Sequence, residues 1–281
     1  MRIDLHTHSN ASDGTQSPAD VVSSAAEAGL DVLALTDHDT TAGWDEAAAA
    51  AEQHGIALVR GIEISCQHEG ISIHLLGYLQ DPAAPGLLEE LERSRESRET
   101  RAQRIVELLS RDLPLHWDDV LEQLEPGATV GRPHIADALV AKGIASSRED
   151  AFAGYLHEGS LYYISHYAPD PVLAVRLVGQ AGGVAVMAHP FASVRGLVVD
   201  DSVIEAMAAA GMAGLEVHHR DHTGAQVQHG LDLAASLGLF VTGSSDYHGD
   251  GKPNLLGENT TDPVVLQQIE ALATGVEVLR S

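Results

Sequence analysis

One cysteine, Cys66, occurs in the 281 residues. An internal disulfide framework is therefore excluded, and the compartment expected for the chain is the cytoplasm. Cys66 lies in the stretch ISCQH, which lacks the signature of a cysteine phosphatase and reads as part of a buried strand. No apolar run approaches the ~18 residues that a membrane span requires. The opening MRIDLHTHS shows no basic segment followed by an apolar stretch, so no membrane association is expected. Positive charge is also scarce: 16 Lys and Arg against 41 Asp and Glu give a formal net charge of -25. Repulsion of that size argues against duplex DNA as a partner, while a small anion remains compatible if bound cations invert the local field.

Histidine is the opposite case. Sixteen are present, about twice the number expected at its usual abundance, which points to imidazoles used as ligands or acid-base groups. Along the chain, short runs of Val, Ile and Leu alternate with alanine-rich helical stretches, the pattern of βαβ units around a buried parallel sheet. Strands are predicted at residues 3–5, 32–35, 57–64, 71–79, 184–188, 215–217 and 239–242, and helices at 18–28, 44–54, 170–180, 203–210 and 225–237. Ser17 before Pro18 reads as an N-cap with proline at the first helical position. Seven strands in this arrangement suggest a barrel, which a chain of this length can fill.

Between residues 86 and 166 the strand signals vanish. One long helix at 87–111 is followed by shorter ones in HWDDVLEQL, GRPHIADALVAKG and SSREDAFAGYL. The expected organisation is a barrel built from residues 1–85 and 167–281, interrupted by an all-helical insertion over 86–166. Arg93, Arg95, Arg98, Arg101 and Arg104 interleave with Glu89, Glu92, Glu96 and Glu99, including a Glu89–Arg93 pair one turn apart. The long helix is accordingly expected to turn a salt-bridged face to solvent.

The chemistry gathers at the strand ends. A strand alternates its side chains with period two, so His6 and His8 project to one side, with Asp13 in the turn beyond them. That is metal-ligand spacing. The second strand ends at Asp37, His38 and Asp39, the third carries Glu63, the fourth His74, another ends at His189, and the last leads to Asp246 and His248. In a parallel barrel these ends meet at one rim. Nine candidate ligands, His6, His8, Asp13, His38, Glu63, His74, His189, Asp246 and His248, exceed what one ion needs. Two or three divalent ions are expected, Mn2+ foremost, with Zn2+ and Fe2+ also suited to the donors. Their surplus charge would seat a phosphate.

DLHTHSNASDG, TDHDT, GIEIS, AHP and SSDYH, in that order, resemble the successive motifs of the PHP (polymerase and histidinol phosphatase) family. The resemblance covers the barrel portions at both ends of the chain. It implies a distorted (β/α)7 barrel with a di- or trinuclear centre, the nine residues above as ligands and Glu63 as the bridging carboxylate. GRPHIA, inside the insertion, resembles more narrowly the subgroup containing a 3',5'-nucleotide bisphosphate phosphatase with short-RNA 5'-exonuclease activity. The function implied is removal of the 3'-phosphate from nucleoside 3',5'-bisphosphates by a metal-bridging water, with no side-chain nucleophile. The partner implied is a small phosphorylated nucleotide or very short RNA, and no obligate protein partner is indicated.

Four residues are expected to touch substrate: Arg132 and His134 in GRPHIA, Arg195 after AHPFASV, and His218 after GLEV. Asp39, His157, His219 and His222 read as supporting polar structure. Alternative activities are 5'-3' exonuclease action on short RNA, and hydrolysis of histidinol phosphate. A metal amidohydrolase is the reading outside this class, but its commonest centre is bridged by a carboxylated lysine. Lys142 and Lys252, the two lysines present, end no apolar strand. A non-enzymatic metal-binding module is the remaining alternative.

Overall fold

Seven strands, β1 (Ile3–Thr7), β2 (Val32–Leu35), β3 (Ala57–His68), β4 (Ile71–Tyr78), β5 (Val184–Met187), β6 (Gly214–His218) and β7 (Phe240–Gly243), pair in sequence order. A bridge between Thr7 and Tyr247 brings the segment after β7 against β1, so the sheet nearly closes into a barrel with helices around it. The computed structural model describes residues 1–125, 128–157 and 159–280. Among them, no helix is long and apolar enough to cross a membrane.

Period-two alternation sets what faces what. On β2, Leu33 and Leu35 pack outward on helices α1 (Pro18–Glu27) and α2 (Trp44–His54), while Val32 and Ala34 join a separate core cluster. On β3 and β4, Ile62, Ile64, Ile73 and Leu75 pack in the cluster that includes Ala174, Val175 and Val178. Glu63 and His74 therefore project to the opposite face. The N-cap expected at Ser17 forms, its hydroxyl accepting from the Asp20 N–H, with Pro18 at the first helical position.

The sheet is not all parallel, as the sequence pattern had suggested. β4 runs antiparallel to both β3 and β5. The cause is a two-residue turn, Glu69 (φ 48°) and Gly70 (φ 85°), both left-handed as a tight hairpin of this type demands. β3 also runs on to His68, four residues beyond its predicted end. Because β4 is reversed, its first half lies at the rim where β3 and β5 end, which is how His74 reaches the other ligands.

Between β4 and β5 the chain is helical: α3 (Pro85–Leu109), α4 (Trp117–Leu121), α5 (Arg132–Ala141) and α6 (Arg148–Ala151), the last running into a π-helical turn at Phe152–Leu156. Ala102, Ile105, Val106, Leu109, Ile135, Leu139 and Leu156 form a core of their own there. The arginines of α3 divide: Arg93 and Arg104 are exposed as expected, whereas Arg95, Arg98 and Arg101 are drawn inward. Arg98 turns towards the barrel, where its Nε lies 2.8 Å from Asp39 Oδ2, and Arg101 Nε donates to the Ile164 carbonyl at 2.8 Å at the end of the helical segment. Arg95 donates to the Asp39 carbonyl at 2.7 Å, and Arg93 stacks on Tyr167. The remaining helices are α7 (Pro171–Gln180), α8 (Asp201–Ala209), α9 (Gly224–Leu237) and α10 (Pro263–Leu272). α10 carries an Asp262 cap and an N-terminal proline, signals that the strand-and-helix pattern passed over.

Candidate metal centre

His6 and His8 turn their Nε2 atoms towards each other at 3.0 Å. Both lie close to Glu63 Oε2, at 3.1 and 3.0 Å, and both are 3.4 Å from Asp246 Oδ1. Four ligand atoms thus face one small volume. Glu63 Oε1 looks the other way, to His74 Nδ1 at 2.8 Å and His189 Nε2 at 3.3 Å, and His38 Nε2 is 3.4 Å from Oε2. One carboxylate at the centre of five imidazoles has the geometry of a bridge. A second group forms where Asp13 Oδ1 approaches His248 Nε2 at 3.2 Å, with His8 and His38 beside it. All nine residues expected as ligands are therefore brought together.

The fit to cations rests on atoms left without partners. His8 Nδ1, Asp13 Oδ1, His38 Nδ1, Glu63 Oε2, His74 Nδ1 and His248 Nε2 are buried and make no hydrogen bond. Such atoms are costly to bury unless something satisfies them. The tautomers agree: His248 Nδ1 bonds the Asp246 carbonyl at 2.9 Å and His6 Nδ1 bonds Glu216 Oε1 at 3.0 Å, which leaves each Nε2 for the centre. The residues present fit divalent ions.

Electrostatics follow from crowding. Burial pushes the Glu63 carboxyl up, but His38, His6 and His74 outweigh it and hold it well below the usual range. Asp13 is held low in the same way, by His248 and His38 against burial. Burial opposes charge on His8, yet Asp246 and Glu63 raise it to about 9. His189, desolvated and near Arg195, falls to about 3, and His248, desolvated and near Lys252, falls to about 4. His189 (φ 30°) and Asp246 (φ 54°) hold left-handed backbone conformations that non-glycine residues seldom adopt, an arrangement that clusters at functional sites.

Glu216 was not anticipated as part of the site. It is fully buried on β6, its Oε1 on His6 Nδ1 and its Oε2 accepting the His189 N–H at 2.9 Å, so both oxygens are engaged in orienting ligands. A carboxylate in the middle of a short apolar strand was the available signal. Arg195 donates to Asp246 Oδ2 and Asp221 Oδ2, each at 2.6 Å, and Lys252 reaches the same Asp246 oxygen at 3.1 Å.

The expected substrate contacts divide. Arg132 and Arg195 both border a cavity of about 400 Å3 with Arg98, Arg101, Lys252, Asp13, His38 and His74. His134 does not. It is buried, accepts the Gly131 N–H at its Nδ1, and bonds the Ser12 backbone, so it supports rather than contacts. His218 is exposed, and the buried neighbour His219 lies 3.6 Å from Asp246 instead. The reason is a register shift between Glu216 and His218, which breaks the alternation of β6 at its end. His222 props the loop after β5, accepting the Phe191 N–H at 3.1 Å.

The PHP domain profile matches residues 4–146. The chain belongs to the PHP family. It is 35% identical to a 3',5'-nucleoside bisphosphate phosphatase from Chromobacterium violaceum, across 89% of this chain and 88% of the relative. It is 37% identical to a 5'-3' exoribonuclease from Haemophilus influenzae, across 88% and 90%. Among solved structures, a Bifidobacterium adolescentis protein described as a candidate metal-dependent phosphoesterase superposes with a TM-score of 0.95 at 44% identity, covering 97% of this chain and 96% of that one.

Proposed function

We propose that this PHP protein is a metal-dependent phosphoesterase that removes the 3'-phosphate from nucleoside 3',5'-bisphosphates and leaves the 5'-monophosphate. One observation carries this reading. Arg98, Arg101, Arg132, Arg195 and Lys252 border the same cavity as Asp13, His38 and His74, in a chain whose net charge is -25. A ligand cluster alone would suffice for one phosphate, whereas a cationic wall beside it suits a second. Both C. violaceum and H. influenzae relatives bear names that fit a phosphorylated nucleotide substrate.

Bound divalent ions, with Mn2+ well matched to the donors, would supply Lewis acidity and an activated water. The nine ligands named above would hold them, and Glu216 would fix His6 and His189. Residues 86–166 act as the substrate cap. Arg132 grips the phosphate that is not cleaved, and Phe152 and Tyr163, which border the same cavity, offer flat faces to a base. Remote binding of that kind holds the scissile group in line.

A second reading, exonuclease action on short 5'-phosphorylated RNA, is favoured by a second lobe. A cavity of about 210 Å3 shares Ser72, His74, Arg132 and Arg195 with the first and continues between Ile71, Ile73, Val198 and Val199. A diester needs room on both sides of its phosphorus. Phosphate and nucleotide release by the Mn2+-loaded protein separates the readings. Nucleoside 3',5'-bisphosphates, simple monophosphates, histidinol phosphate and short 5'-phosphorylated RNAs are compared. The bisphosphate should exceed either monophosphate at least tenfold in kcat/KM, with the 5'-monophosphate as product. A better rate on histidinol phosphate, or no preference among monophosphates and bisphosphates, overturns the nucleotide reading.

A further inference from the structure

The loop between β1 and α1 carries Asp13, and its polar groups are divided between two neighbours. Its hydroxyls turn to the barrel, where the Ser9 and Ser12 side chains donate to Asp37 at 2.7 and 2.6 Å. Its carbonyls turn to the insertion. The Thr129 N–H donates to the Ala11 carbonyl at 3.1 Å, the His134 ring bonds the Ser12 backbone, and Arg148 Nη1 donates to the Asp13 carbonyl at 3.1 Å. Three successive residues are thus held from three separate points of the helical segment.

The donors are themselves fixed. His134 Nδ1 accepts the Gly131 N–H at 3.1 Å, which leaves Nε2 as the ring's donor. Arg148 holds Asp137 through Nε at 2.5 Å and Nη2 at 2.6 Å, a two-pronged grip that aims Nη1 at the Asp13 loop. Arg148 is also wedged against the loop after His248, since a Cβ built on Gly251 would come within 2.4 Å of Nη1. It therefore holds Asp13 directly and lies beside Gly251, whose N–H donates to the His248 carbonyl at 3.2 Å; Asp13 and His248 both belong to the group formed by His8, Asp13, His38 and His248. In the group formed by His6, His8, Glu63 and Asp246 no ligand is held directly by the insertion among the described residues; its nearest tie is Asp39, which pairs with Arg98 and donates its N–H to the Glu63 carbonyl at 3.0 Å, and its ligands come from β1, β3 and the segments after β1 and β7.

We propose that the insertion governs one metal position selectively: Arg148 and His134 are positioning residues for the ion held by His8, Asp13, His38 and His248, while the other ions depend on the barrel. This rests on the metal-centre reading above and adds a division of labour to it. It also links the two halves of the site, because Arg132, which borders the substrate cavity, lies on the same first turn of α5 as His134. An anion drawn to Arg132 stabilises the helix position that holds Ser12, and by reciprocity the ion at Asp13 favours the anion.

The test is equilibrium dialysis against Mn2+ alone, with elemental analysis of wild type, Arg148→Gln, Arg148→Lys, Asp137→Asn, His134→Ala and His6→Ala. Thermal unfolding of each metal-free protein checks the fold. Arg148→Gln and His134→Ala should each weaken one ion per chain by roughly ten- to a hundredfold and leave the rest at wild-type affinity. Arg148→Lys should restore part of the loss, Asp137→Asn should show a smaller loss of the same ion, and His6→Ala should lose a different one. Wild-type binding isotherms in both Arg148→Gln and His134→Ala overturn the inference, as does an equal loss of every ion. A wild-type chain that takes up no Mn2+ instead defeats the metal-centre reading beneath it.

Discussion

Arg98 Nε sits 2.8 Å from Asp39 Oδ2, an arginine of the insertion against a carboxylate at the barrel rim whose side chain is fully buried. Asp39 holds a left-handed backbone (φ 54°) and accepts the Ser65 N–H through its other oxygen. Removing the arginine would strand a buried charge, which typically costs roughly 3–5 kcal/mol. Arg98→Ala should therefore lose stability on that scale in chemical denaturation, and Arg98→Ala combined with Asp39→Asn should recover part of it. Additive losses in the double variant would contradict a direct pair.

Glu216→Gln keeps the size of the side chain but removes its charge. The acceptor on His6 Nδ1 weakens, the ring is less firmly oriented, and metal affinity should fall roughly ten- to a hundredfold while the fold persists. Circular dichroism with metal titration measures both. A variant that matches wild type in metal affinity would show that Glu216 only fills space.

Metal uptake should release protons. His8 is raised to about 9 in the metal-free protein, so its ring is mostly charged at neutral pH, and a ligand must be neutral. The sign is fixed: below about 9 the ring must shed a proton to bind, so apparent affinity rises as pH climbs towards that value. Calorimetric Mn2+ titrations at pH 7 in two buffers of different ionisation enthalpy should give different heats, from which the protons released per chain are read. Identical heats would mean that His8 is already neutral.

Arg132→Ala tests the second-phosphate grip. A charge-assisted contact is worth ~1.5–3 kcal/mol, so kcat/KM on the 3',5'-bisphosphate should fall roughly ten- to a hundredfold. The loss should be smaller on monophosphates, and metal content without substrate should be unchanged. An equal loss on every substrate would place Arg132 outside specificity.

Much of this was legible in the sequence because it obeys local rules. The strand positions follow from the short apolar runs and the HxH spacing of His6 and His8 from period-two alternation, and the ligand types recur on or just after six of the seven strands. What was hidden depends on what lies opposite. Apolar runs do not encode direction, so the reversal of β4 was missed although Glu69 and Gly70 supplied a hairpin turn. The Glu/Arg spacing on α3 predicted internal pairs, but Asp39 and Ile164 are acceptors that only tertiary packing brings to those arginines. One inserted residue in the β6–β7 pairing exchanged His218 for His219 at the rim.

The reversed β4 also determines how far the next helix must travel. β4 ends at the rim remote from the ligands, so α3 has to return along the whole barrel, and its 25 residues span roughly 37 Å. Leu87 and Leu91, near its start, belong to a barrel core, while Ala102, Ile105, Val106 and Leu109, near its end, belong to the core of the insertion. Arg95 and Arg98 fall between, where the helix passes the rim. α3 is thus a single rod seated in two cores, and it works as a ruler: one turn more or less would carry the arginines about 5.4 Å along the axis, past Asp39. Because one helix is seated in both cores, its own length sets where the second core stands relative to the first.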